Sequence, residues 1–224
     1  MDPVIKVIII NKNFFLFIIL FNLICSHGIA ASSKDTRMCT YQTYKWNVNR
    51  NLAEEIETVR HAYSELKPEE VDTETGCTVC VEDQEIIDIP GLSPFRLCKN
   101  LAASVRVTLT QLLKQGEPIH EVTGYRVGKT RGAIDKNGNR TLFSIHSFGI
   151  AIDINPEENG LYADCPTLGP RCRLIRGGHW IAGKRGALTA DGAVVTGLKK
   201  AGLQWGGELK GNLKDFMHFS PTGY

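Results

Sequence analysis

A histidine and an aspartate, His146 and Asp153, stand seven positions apart in the stretch HSFGIAIDINP. If residues 149–154 run as a strand, alternate side chains share a face. Ile150, Ile152 and Ile154 then turn toward a core, while Gly149, Ala151 and Asp153 turn the other way. The two small residues clear the room beside Asp153 that a metal ion and its water need. A second cluster follows in DFMHFS, where a strand through residues 216–220 sends Met217 and Phe219 inward and leaves His218 on the opposite face. Two histidines and one carboxylate with a fourth position open form a catalytic zinc arrangement, whereas structural zinc sites close with four ligands and favour cysteine. The expected metal ligands are therefore His146, Asp153 and His218. The plainer alternative is a satisfied core histidine and a turn aspartate, which leaves the second cluster without a role.

Asp215 is left over. It lies three residues before His218 and cannot share that face in a regular strand, so it is expected at a bend, near the metal without ligating it. Zinc acidifies water to a pKa of about 7 and polarises a carbonyl. A neighbouring carboxylate can take the proton and pass it to a leaving amine. This chemistry is amide hydrolysis, with Asp215 as acid and base. A cation for the developing oxyanion, or for a substrate carboxylate, is offered by TGYRVGKTRG, where Arg126 ranks ahead of Arg131 because it directly follows a β-like run.

The elements that must carry these residues read as α+β. The spacing of Leu52, Ile56, Val59, Tyr63 and Leu66 predicts a helix stopping before Pro68, with His61 off its apolar stripe and solvated. A second helix is predicted from Ser93 as N-cap and Pro94 at its first position, through Leu97, Leu101, Val105, Leu109 and Leu112, to Gly116. Residues 67–92 are acidic and turn-rich. Short β-like runs occur at 118–126, 141–146, 149–154 and 216–220, with a further helix near 190–201 closed by Gly202. His179 and Trp180 are assigned to a surface loop, outside the site.

At 224 residues the chain suits one domain with one substantial core. A net charge of +2 with no long basic run argues against nucleic acid. Lys6 and Lys12 precede an apolar run from Phe14 to Cys25, and small residues follow at Gly28, Ala30 and Ala31. That order is a secretory signal over residues 1–30, ahead of 31–117 and a catalytic region at 118–224; an uncleaved anchor is the competing reading. A secreted or periplasmic chain without stable membrane insertion retains Cys39, Cys77, Cys80, Cys98, Cys165 and Cys172, an even set expected to form disulfides. A four-thiolate zinc site or a redox pair at Cys77 and Cys80 is the alternative, and only Cys165 with Cys172 is locally forced.

The set Ser144-x-His146-x-x-Gly149-x-Ala151-x-Asp153, Leu203-x-Trp205-Gly206-Gly207 and Asp215-x-x-His218-Phe219 resembles the zinc peptidoglycan peptidases. That family includes D-alanyl-D-alanine carboxypeptidases, vancomycin-resistance D,D-dipeptidases and L-alanyl-D-glutamate endopeptidases. The likeness spans residues 118–220, with Gly124-Tyr125-Arg126 similar to its arginine-bearing strand. It implies a Hedgehog/D,D-peptidase fold, zinc on His146, Asp153 and His218, acid/base catalysis by Asp215, and Arg126 near the scissile carbonyl. The partner implied is the peptidoglycan stem peptide. A shorter carboxylate at 215 than the dipeptidases' Glu favours the endopeptidase branch; the alternatives are a D-alanyl-D-alanine carboxypeptidase and a non-catalytic zinc-bearing binding module. Residues 31–117 have no counterpart in the resemblance.

Overall fold

The computed structural model describes residues 36–224, all within one compact unit. The expected signal segment at 1–30 lies outside the described residues. In chain order, β1 (Met38–Asn47) and β2 (Leu52–Ala62) form a hairpin, β3 (Val71–Asp72) pairs with β4 (Cys77–Thr78), and β5 (Gln84–Ile87) pairs with β6 (Phe95–Cys98). Helix α1 (Lys99–Lys114) leads to β7 (Val122–Thr123), β8 (Lys129–Ile134), β9 (Arg140–Phe143), β10 (Ile152–Ile154), β11 (Leu161–Ala163) and β12 (Arg173–Arg176). Helix α2 (Ala193–Lys200) precedes β13 (Gln204–Trp205), β14 (Lys214–Asp215) and β15 (His218–Ser220). The architecture is mixed α+β, with small sheets and two α-helices among the described residues.

Three sheets frame the cleft, in the strand orders β2-β1-β8-β9, β13-β15-β10-β7 and β12-β11-β14. The main core lies between the second sheet and the helices. Ala102, Val105, Leu109 and Leu112 of α1 and Val194, Val195 and Leu198 of α2 are buried there with Ile152, Ile154, Trp205 and Phe219. A smaller cluster of Tyr41, Val127, Phe143 and the Cys39–Cys80 bond supports the first sheet. The remaining disulfides are Cys77–Cys98 and Cys165–Cys172. All six cysteines among the described residues are thus paired, and the locally forced loop closes as its spacing requires.

The helix expected over 52–66 does not form. That segment is strand β2, in register with β1 through pairs such as Tyr41↔Val59 and Cys39↔His61. Its supposed core residues Leu52 and Ile56 are 44% and 67% exposed, so the helical stripe had nothing to bury against. Cross-strand pairing prevailed over the weak helical preference because β1 pairs with this segment along most of its length, with one bulge between Thr43 and Lys45, and is tied by Cys39 to Cys80. His61 is half-buried, with Nε2 3.0 Å from the buried Glu70 carboxylate, rather than solvated.

The start of α1 also differs from expectation. Residues after Pro94 first run extended as β6, and the helix begins at Lys99 with Cys98 as its cap. Cys98 is bonded to Cys77, and its N–H donates to the Gly149 carbonyl at 2.8 Å, which holds the chain extended up to that point. Gly116 ends the helix at φ +85°, as its position required. Trp180, assigned to a surface loop, instead stacks on Phe216 at 5.1 Å and donates Nε1–H to the Leu188 carbonyl. His179 is exposed.

The Cys98–Gly149 contact ties α1 to the site. Gly149 has φ +66°, and a Cβ there would meet Gln84 Oε1 at 1.9 Å and the Cys98 backbone nitrogen at 2.6 Å. Gly149→Ala is therefore expected to destabilise the protein by at least about 1–3 kcal/mol. A urea unfolding midpoint equal to wild type would contradict this account of the turn.

Candidate metal centre

The site forms where two sheets meet. His146 lies on the 3-10 turn Ile145–Phe148, which Gly149 closes in the left-handed conformation so that the chain can double back into β10. Asp153, in β10, is the direct cross-strand partner of His218 in β15. Ile152, Ile154 and Phe219 flank them with no exposure, so both polar side chains are forced to the cleft side. Asn155, at φ +45°, secures the end of β10. Its Oδ1 accepts from the N–H groups of His120 and Glu121, and its Nδ2 donates to the Pro118 and Gly186 carbonyls.

Met217 departs from the expected pattern. It is buried but lines the cleft, and Phe216 takes the core position, stacked on Trp180 and edge-to-face with Trp205 and Tyr162. The chain changes sheets at Phe216 and Met217, because Lys214 and Asp215 pair with β11 whereas His218 pairs with β10. This crossing supplies the bend expected at Asp215 and brings its carboxylate into the same cleft as His218.

The ligand atoms are closely set. His146 Nε2 and His218 Nδ1 each lie 3.1 Å from Asp153 Oδ1, and one ligand atom from each residue falls within 4.8 Å of the others. Zinc–ligand bonds of about 2.0–2.1 Å in a tetrahedron separate ligands by roughly 3.3 Å, so the donor set fits a small divalent metal. Two buried polar atoms, His218 Nε2 and Asp215 Oδ1, have no hydrogen-bond partner, which is costly in a closed core and suits a site completed by a bound group.

Electrostatics separate the two carboxylates. Burial alone would raise Asp153, but His146, His218 and Arg126 hold it well below the usual range, and Arg126 Nη2 donates to its Oδ2 at 2.7 Å. Burial also lowers the His146 pKa, against the pull of Asp153, and favours the neutral imidazole a metal requires. Asp215 behaves oppositely. Burial pushes it up to about 6, with His218 opposing and Asp153 adding to the rise.

His146 Nδ1 has two alternative partners, Arg126 Nη1 at 2.8 Å and the Gly124 carbonyl at 2.9 Å. Accepting from Arg126 requires the proton on Nε2, donated to Asp153. Donating Nδ1–H to Gly124 leaves the Nε2 lone pair for a metal. Arg126 thus sits against the ligands themselves. Arg131 is placed differently, its guanidinium 4.5 Å from the centroid of the Tyr224 ring.

The cleft, about 360 Å³, has walls not anticipated from the sequence. Tyr44 and Trp46 of β1 and Val48 just beyond it line one side, and Arg176 of β12 lines another. The i, i+2, i+4 spacing of Tyr44, Trp46 and Val48 was the available signal, and it points to one face of a strand.

With a divalent metal at neutral pH the chain is expected to bind one ion, and His146→Ala or His218→Ala to lose it. Acid should release it as the imidazoles protonate, which metal analysis after dialysis across pH would follow. Asp215 makes a separate prediction. Because its folded pKa of about 6 lies above the ordinary 3.8, its buried charge costs stability as pH rises through that window. Metal-free Asp215→Asn should therefore gain up to about 3 kcal/mol over wild type above pH 6. The gain should shrink toward pH 4, and a pH-independent difference in urea unfolding would refute the shift.

No curated protein matches the chain. Residues 137–221 match the protein family described as D-alanyl-D-alanine carboxypeptidase, a stretch that contains His146, Asp153, Asp215 and His218 but not Arg126. Together with the His146, Asp153 and His218 cluster inside it, this match supports a zinc metallopeptidase.

Proposed function

We propose that the protein is an exported zinc endopeptidase that cleaves the stem peptide of peptidoglycan between L-alanine and D-glutamate. In this reading the fold is of the Hedgehog/D,D-peptidase type. His146, Asp153 and His218 hold zinc, Asp215 moves the proton, and Arg126 serves the scissile carbonyl. The observation that carries it is the gathering of three buried candidate ligand atoms within 4.8 Å of one another beside a further buried carboxylate, Asp215, whose pKa is pushed up to about 6, in the same cleft.

Zinc bound by these residues would supply Lewis acidity, polarising the carbonyl and acidifying water. The chain's own groups do the rest. Above pH about 6 Asp215 is ionised and can take a proton from the attacking water, then return it to the departing amine nitrogen. Donation of His146 Nδ1–H to Gly124 removes His146 as an acceptor for Arg126 Nη1 and leaves it the longer 3.4 Å contact with the Gly124 carbonyl. It can then turn toward the scissile carbonyl oxygen as charge develops there. An unligated acid of this kind has no use in a purely structural zinc module, which weighs against a non-catalytic binding role.

Export is supported by three disulfides, which persist in oxidising compartments. Among the described residues no helix is long and apolar enough to cross a membrane. The cleft bordered by Tyr44 and Trp46 as well as by the metal strands gives an extended substrate room on both sides of the bond. The family description favours the second reading, a D-alanyl-D-alanine carboxypeptidase.

Incubation with a pentapeptide stem and mass spectrometry of the products distinguishes the two. Cleavage after L-alanine is expected, and free D-alanine with the L-alanyl-D-glutamate bond intact would select the carboxypeptidase. Asp215→Ala should retain one zinc per chain while hydrolysis falls at least about 100-fold. Asp153→Ala should lose both metal and turnover. Near-native hydrolysis by Asp215→Ala would overturn the proton-transfer role.

A further inference from the structure

We infer that Arg176 is a specificity-determining residue that binds the free α-carboxylate of the residue on the leaving-group side of the cleaved bond. The inference rests on the peptidase reading above and names what that site recognises.

The register of the third sheet carries the argument. Leu161 of β11 is paired with Arg176 on one side and with Asp215 on the other. Residues opposite one another in antiparallel strands project from the same face, and two strand spacings amount to about 10 Å. Arg176, Leu161 and Asp215 are thus partners across the sheet beside a bulge between Leu161 and Tyr162, and all three line the cleft. The charge of Arg176 is felt at Asp215, where it favours the ionised carboxylate.

The other cationic side chains of the cleft are engaged. Arg126 contacts Asp153 and His146, Arg140 donates to the Gly132 carbonyl at 2.6 Å, and Arg131 lies over Tyr224. Arg176 is exposed on β12, and among the described residues its side chain has neither a hydrogen bond nor an ion pair. Arg173 on the same strand is instead paired with Asp164 at 3.3 Å, outside the cleft.

Chemistry fixes the side and the ligand. Asp215 must address the departing nitrogen, so a guanidinium in line with it, within the reach of one long side chain, addresses atoms attached to that nitrogen's own residue. In a γ-linked D-glutamate the group one carbon from the nitrogen is a free α-carboxylate, which an arginine can meet with two parallel hydrogen bonds. In an ordinary peptide that position is an amide and offers no charge. Arg176 would thus select acid over α-amide stems at the residue after the cut.

The test compares zinc-loaded wild type, Arg176→Gln and Arg173→Gln. The first measurement is kcat/KM on L-alanyl-γ-D-glutamyl-L-lysine and on its α-amide. The second is calorimetric binding of the products, γ-D-glutamyl-L-lysine and its α-amide. Wild type and Arg173→Gln should prefer the acid form, and Arg176→Gln should lose about 10–100-fold of that preference in both measurements. Arg176→Lys should restore part of it. A wild type without acid preference in binding, or an Arg176→Gln that keeps it, would overturn the inference. Acid-selective product binding lost in Arg176→Gln, with neither stem cleaved by wild type, would uphold Arg176 and reject the endopeptidase reading instead.

Discussion

The carboxylate of Asp153 is the point on which the rest of the site depends. A buried ionised carboxylate is expensive unless it is surrounded by donors or cations. Here Oδ1 faces both histidines at 3.1 Å and Oδ2 accepts from Arg126 at 2.7 Å. Cross-strand pairing with His218 sets one of these contacts by backbone register alone, so the geometry of two strands becomes the geometry of two ligands. The other histidine arrives on a short turn whose glycine lets the chain reverse within three residues. Removing Asp153 would leave two buried imidazoles and a guanidinium facing one another.

Asp215 completes a division of labour between two acids of the same type. The one among cations stays ionised and suits a ligand. The other, buried with one unpartnered oxygen, is held near neutrality and suits proton transfer. Their separation follows from the change of sheet at Phe216 and Met217. The aromatic cluster around Phe216, with Trp180, Trp205 and Tyr162, fixes that crossing, which explains why a residue as distant from the chemistry as Trp180 is packed against the core.

The N-terminal part contributes a wall rather than a separate body. Disulfides Cys39–Cys80 and Cys77–Cys98 link β1 and β4 to the residues preceding α1, and β1 pairs in parallel with β8 at Lys45 and Lys129. Tyr44 and Trp46 thereby border the cleft, although they lie outside the stretch shared with the peptidase family. The His146, Asp153 and His218 cluster lies in the matched stretch, while residues outside it build part of the same cleft.

Residue type and spacing alone determined which side chains gather at the site, because a strand's alternation of faces is a local property. Asp153 and His218 follow from two short strands in which isoleucine or phenylalanine claims the inner face, whereas His146 reaches the site on a 3-10 turn. The closures at Gly116 and Gly202 were likewise legible, since a left-handed residue ends a helix wherever it occurs. The state of residues 52–66 was not legible: an apolar stripe makes a helix only if something covers it, and pairing with β1 made it a strand. Nor could the sequence show that Arg176 and Asp215, 39 residues apart, line one cleft, because Leu161 joins them only through the register of a folded sheet. Local sequence marked the candidate ligands; long-range pairing decided what surrounds them.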